Sequence, residues 1–139
     1  MARAVSTSRQ GFTLVEAVIV IVVAGLLLGI AAPRFTTMRN NYRLDSGARR
    51  LAGELRRAQT EAIKRNKTIV VAKVNDSTYS MTDVGNRYLE SGVKFTAPAM
   101  TVSMASFGPP VGGGATFTVT YSARTKTVTV GANGLVSVQ

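Results

Sequence analysis

The sequence predicts an α+β fold in which one long amino-terminal helix packs on an antiparallel β-sheet. Three patterns carry this reading. An apolar run of 21 residues begins at Phe12 and contains a single charge, Glu16. Apolar side chains then recur every three or four positions from Phe35 to Ala62, the spacing of one helix face. After Lys67 the period falls to two, and threonines alternate with valines, as on a half-buried sheet. The chain divides accordingly into residues 1–11, 12–33, 34–67 and 68–139.

The apolar run reads as a transmembrane helix. From Ala17 to Ala32 it is AVIVIVVAGLLLGIAA. As a helix, the run from Phe12 spans ~31 Å, about one hydrocarbon core. A helix apolar on every side does not suit the surface of a soluble domain. The run also exceeds the ~7–15 apolar residues of a cleavable secretory signal. Glu16 is costly in lipid, so it needs a partner or a task. Gly25 and Gly29 form a GxxxG step that permits close helix packing. Pro33 removes a backbone donor and weakens the helix where the run ends.

The helical period continues beyond Pro33 through Phe35, Met38 and Tyr42, then Ala48, Leu51, Leu55, Ala58 and Ala62. The opposite face carries Arg49, Arg50, Arg56 and Arg57. Arg50–Glu54, Glu54–Arg57 and Arg57–Glu61 have the spacing of helical ion pairs. Asn66 is the predicted terminus, with Lys64, Arg65 and Lys67 at the negative end of the dipole.

Beyond it, Thr68–Val74 and Thr78–Thr82 read as a hairpin closed by Asn75-Asp76-Ser77. Val93–Thr96 and Thr101–Met104 are weaker strands. A loop follows through Gly108-Pro109-Pro110 and Gly112-Gly113-Gly114. Thr116–Tyr121, Lys126–Val130 and Leu135–Val138 complete the sheet, with turns at Ser122–Thr125 and Ala132–Gly134.

Composition narrows the function. The chain has 139 residues and no His or Cys. Imidazole and thiolate metal sites, disulfides and His-based triads are therefore excluded. Seven acids in all leave little for paired-carboxylate catalysis. Neither an enzyme nor a cofactor is expected. The triple Gly lacks the ending of a phosphate loop, and Asp76, Asp83 and Glu90 do not have calcium-loop spacing. The net charge is +10, of which residues 34–67 contribute +7 from ten bases and three acids. The basicity belongs to one segment.

Two motifs resemble a known family. RQGFTLVE, Arg9 to Glu16, followed by the apolar helix and Pro33, resembles the processing site of type IV pilins and type II secretion pseudopilins. LAGELRRAQTEAIKRNKTIVV, Leu51 to Val71, is similar to the shared segment of the GspH/FimT family, with Glu61, Ala62, Ile63, Arg65 and Asn66 fitting directly. Ala58-Gln59 stands where that family often has Ala-Arg.

The resemblance implies a type IV pilin-like fold and a minor pilin or pseudopilin. It implies that residues 1–11 are a leader, cleaved between Gly11 and Phe12 by a prepilin peptidase, and that Phe12 is then N-methylated. Glu16 would meet the new amine of a neighbouring subunit during assembly, and the helix would melt locally near Pro33. The partners implied are other pilins or pseudopilins and an inner-membrane assembly platform. The location implied is the bacterial inner membrane, single-pass, with the sheet domain periplasmic or otherwise extracytoplasmic and later filament-associated. Arg3 and Arg9 agree with a cytoplasmic amino end.

The family offers a second function, DNA capture in natural transformation through arginines near the carboxy-terminal Gly. Here that region reads NGLVSVQ, Asn133 to Gln139, without Arg or Lys. Arg124 and Lys126 in the preceding hairpin are the substitutes for a weak nucleic-acid contact. A third reading is a single-span membrane protein that does not assemble.

Overall fold

The computed structural model describes residues 11–97 and 100–139. Residues 1–10, which hold Arg3, Arg9 and most of the expected leader, lie outside them. The described chain begins with one helix, α1 (Leu14–Arg65). Eight strands follow: β1 (Ile69–Lys73), β2 (Thr78–Met81), β3 (Gly85–Tyr88), β4 (Lys94–Phe95), β5 (Thr101–Met104), β6 (Ala115–Tyr121), β7 (Arg124–Val130) and β8 (Val136–Val138). Met38–Gln139 forms one compact unit, and the described residues up to Thr37 form another.

The first unit is helix with its apolar side chains outside. Ile21, Leu26, Leu28 and Ile30 are 66–70% exposed. Such a surface is unstable in water and needs lipid or other helices to cover it. Pro33 lies inside the helix. It has no N–H for the carbonyl of Gly29, four residues back. Thr36 Oγ1 and Thr37 Oγ1 donate to the Pro33 carbonyl at 2.8 and 3.2 Å, one turn after the Gly29 carbonyl.

In the second unit α1 ends where its sequence says it should. Asn66 has a positive φ of 47°, and short polar side chains tolerate that conformation. Its N–H donates to Ile63 O at 3.2 Å, and that of Lys67 to Ala62 O at 3.1 Å. These two bonds are the Schellman pattern, with Asn in the usual place of Gly.

The sheet is two sheets. One has the order β3-β2-β1-β5, the other β4-β6-β7-β8, and every strand pair is antiparallel. The alternation merged them because consecutive hairpins look alike whichever sheet they join. β3 is an addition to the expected set. Its residues are exposed or half-buried throughout, so the edge strand shows no apolar alternation. β7 also starts at Arg124, two residues before the expected start. The hairpin turn is just Ser122-Ala123, both at positive φ (49° and 63°), as a two-residue type I′ turn requires.

The core lies between the sheets and one stripe of α1. Leu44, Ala48, Leu51, Leu55, Ala58 and Ala62 are buried against Ile69, Val71, Met81, Val93, Phe117, Val119 and Val128. Full burial of a side chain such as Leu55 contributes ~1.5–3 kcal/mol. Gly47 is needed at one close approach, where a Cβ would stand 3.1 Å from Val93 Cγ2. The stripe is covered only from Leu44 onward. Met38 and Tyr42, expected on the same buried face, are 52% and 65% exposed.

The charged face also differs from expectation. None of the pairs Arg50–Glu54, Glu54–Arg57 or Arg57–Glu61 forms. Arg50 reaches Glu90 at 3.6 Å, and Glu61 pairs with Arg65 at 2.9 Å. One carboxylate oxygen of Glu54 is buried instead, without a hydrogen bond. Arg56 donates to Val136 O at 2.8 Å and ties β8 to the helix.

Candidate processing and assembly site

Gly11, Phe12 and Thr13 precede α1 and are exposed, Phe12 by 77%. Thr13 and Glu16 form a reciprocal cap. The Glu16 N–H donates to Thr13 Oγ1 at 3.2 Å, and the Glu16 carboxylate accepts from the Thr13 N–H at 3.1 Å and the Thr13 hydroxyl at 3.0 Å. This is a capping box: two backbone donors at a helix start are satisfied by side chains three residues apart. The sequence carried its signal, Thr-x-x-Glu ahead of an apolar run. Thr13 is therefore a site residue that the charge and hydropathy patterns did not single out. The box holds the carboxylate in the first turn, against the N–H and hydroxyl of Thr13.

Gly25 and Gly29 have open space where a Cβ would be. One helical turn apart, they leave a shallow notch on an otherwise bulky apolar surface. Together with Pro33 they lie on the same unit as Glu16.

Arg124 and Lys126 lie elsewhere, in the Met38–Gln139 unit. They are two residues apart on β7, hence on one face of the strand. Lys126 Nζ is 2.7 Å from Asp45 Oδ1, and Asp45 Oδ2 takes Arg49 Nε at 2.6 Å. The hydrogen bond from Lys126, with that from Arg49, holds the Asp45 carboxyl below its ordinary value. Arg124 is exposed and makes no ion pair among the described residues. The two cations are thus not equivalent, since one already has a carboxylate.

The family described as Type II transport protein GspH matches residues 47–134, and the prokaryotic N-terminal methylation motif matches residues 6–32. A pilin-like protein of Thermus thermophilus, PilA1, is 44% identical over 59 residues, 42% of this chain and 36% of the length of that relative. The chain thus matches about a third of PilA1. The type IV minor pilin FimU of Pseudomonas aeruginosa matches in two crystal forms. The first has a TM-score of 0.59 at 16% identity and covers 75% of this chain and 92% of the crystallised FimU chain. The second has 0.57 at 14%, over 69% and 92%. That likeness establishes the shared fold, one long helix on antiparallel sheets. The GspH match runs through the basic half of α1 and nearly all the strands, and the methylation motif covers the helix start with its capping box; the chain belongs to the GspH family of minor pilins and pseudopilins.

Proposed function

We propose that the chain is a minor subunit of a filament of the type II secretion or type IV pilus class. Prepilin peptidase cleaves it between Gly11 and Phe12, and Phe12 is then N-methylated. Before assembly α1 anchors it in the inner membrane, with the Met38–Gln139 unit outside the cytoplasm. An assembly platform then moves it into the filament among other pilins or pseudopilins. Its work is structural.

The observation that carries this is the capping box in front of an uncovered apolar helix. Cleavage leaves a cationic amine on Phe12, four residues and one turn from Glu16. The Glu16 carboxylate already accepts hydrogen bonds at that position. In the filament a neighbour's amine provides a charged donor, and charge-assisted hydrogen bonds are about twice as strong as neutral ones. Neighbouring helices cover the apolar surface, and the notch at Gly25 and Gly29 admits close approach. Pro33 and the residues beside it are where the helix yields as subunits pack.

The test is Glu16→Ala, with two readouts. Processing, read by the mass of the membrane-bound chain, is expected to be normal. Incorporation into sheared filaments is expected to be lost. Normal incorporation removes the assembly role of Glu16, and an intact leader on the membrane-bound native chain refutes the pilin reading itself.

A further inference from the structure

A groove of about 760 Å³ opens between α1 and the β6–β7 hairpin, lined among others by Met38, Tyr42, Asp45, Arg124 and Lys126. Its walls are fixed. Arg43 donates to the Tyr121 hydroxyl at 2.9 Å and lies 5.9 Å from the centre of its ring. Asn40 donates to Ser122 Oγ at 3.4 Å, and Lys126 pairs with Asp45. The hairpin tip is thus pinned to the first turns of the helix in this unit.

The walls differ in chemistry. Met38 and Tyr42 are exposed and carry apolar and aromatic surface. Arg124 is exposed and makes no ion pair among the described residues. Asp45 is the one acid of the lining, and Arg49 and Lys126 already hold it from two sides. The charged groups facing the groove therefore sum to a positive site with one free guanidinium.

We infer that this groove seats the headgroup of an anionic phospholipid from the bilayer that α1 crosses, with the phosphate on Arg124 and the glycerol and upper acyl region against Tyr42 and Met38. The inference rests on the membrane anchoring proposed above. Covalent reach supports it. Met38 stands five positions after Pro33, where the apolar run ends. That allows at most ~18 Å even when fully extended, which keeps the groove within reach of the headgroup layer. Aromatic side chains are enriched at that depth, and bases there are attracted to anionic lipid. A guanidinium matches a phosphate with two parallel donors. The groove would hold the domain against the membrane until extraction into a filament.

The test uses the full chain in a neutral detergent, titrated with short-chain phosphatidylglycerol. Backbone NMR shifts of residues 38–45 and 121–126 are followed. Saturable shifts confined to these segments are expected. Short-chain phosphatidylcholine and inorganic phosphate are expected to give neither the same shifts nor competition. Arg124→Ala should weaken binding about fivefold, the contribution of one base near an anionic surface, and Arg124→Lys should recover most of it. An unchanged melting temperature in both variants checks the fold.

Equal binding of the phosphatidylcholine analogue overturns the inference, as does unchanged affinity in Arg124→Ala. Full competition by inorganic phosphate would make this a general anion site and also overturns it. So would lipid-independent shifts that grow with protein concentration, because the occupant would then be a second copy of the chain. A separate arm asks whether the chain co-floats with purely neutral vesicles. If it does, anchoring stands whatever the groove does. If it does not, the anchoring reading falls and takes the inference with it.

Discussion

Lys126 Nζ stands 2.7 Å from Asp45 Oδ1, a bond between β7 and α1 across 81 positions of sequence. Asp45 also receives Arg49 at 2.6 Å from its own helix. One carboxylate thus joins an intrahelical pair to a tertiary one. It fixes the hairpin to the helix just where the buried stripe begins at Leu44.

This arrangement predicts a pH dependence. The folded state holds Asp45 below its ordinary value of 3.8. A carboxyl depressed in the folded state adds stability above its unfolded value, and that contribution is lost as pH falls through the folded value. Asp45→Asn should lower the melting temperature at neutral pH. Partly exposed pairs contribute ~0.2–1 kcal/mol each, so the loss should be about 1 kcal/mol. Well below pH 3.8 the variant and the native chain should converge. A gap of equal size at both pH values would mean that the charge of Asp45 does not matter.

Gly92 predicts a larger cost. Its φ is +83°, and an added Cβ would lie 2.5 Å from Tyr121 Cε2. The left-handed conformation costs a non-glycine residue ~1–2 kcal/mol, and the clash adds to it. The ring cannot retreat freely, because its hydroxyl is held by Arg43. Gly92→Ala should therefore destabilise by about 2–4 kcal/mol, measured by chemical denaturation. Gly112→Ala is the control. It has a positive φ but open space around it, so it should cost only the conformational part.

These residues show what the sequence could and could not reveal. The long helix, its end at Asn66 and the Thr-Val strands were legible, because periodicity and capping are local properties. β6 and β7 were found from alternation alone. The split into two sheets was not legible, since β1 pairs with β5 across about thirty intervening residues and such pairings leave no local mark. β3 escaped for a related reason: an edge strand reading Gly85-Asn86-Arg87-Tyr88 buries nothing completely. The helical ion pairs failed because several partners compete for each charge. Arg50 finds Glu90 from a loop, a partner invisible to spacing rules. At the candidate site, Thr-x-x-Glu was legible as a cap, and reading Glu16 only as a charge in lipid concealed the role of Thr13.

Tyr79 predicts behaviour at the alkaline end. Its ring is buried and meets Phe95 edge-on at 6.3 Å. Burial pushes its hydroxyl up to about 12, and the Glu54 carboxylate adds to the effect. A group whose folded value is raised contributes stability that is complete below its unfolded value, here 10.0, and is lost as pH rises through the folded value. Stability should therefore begin to fall near pH 10 and continue falling toward 12. Tyr79→Phe keeps the ring and removes the titration. Its stability should be flatter over that window, and the highest-pH step in the ultraviolet phenolate absorbance should vanish. A persistent step would assign it to another tyrosine.

The last prediction concerns the cap. Thr13 Oγ1 accepts the Glu16 N–H and donates to the Glu16 carboxylate. Thr13→Val keeps the shape and removes both bonds, while Thr13→Ser keeps them. Loss of an N-cap hydroxyl typically costs a helix ~0.5–2 kcal/mol. In Thr13→Val the first turn should fray, and the Glu16 carboxylate should no longer be held in the position that the proposed contact with a neighbour's amine requires. Processing between Gly11 and Phe12 should continue, since the bond and its flanking residues are unchanged up to Phe12. Incorporation into sheared filaments should fall in Thr13→Val and stay near normal in Thr13→Ser. If valine incorporates as well as serine, the cap is a device of the isolated helix and Glu16 orients itself by other means. If both variants fail equally, incorporation needs the methyl of Thr13 as well as its hydroxyl.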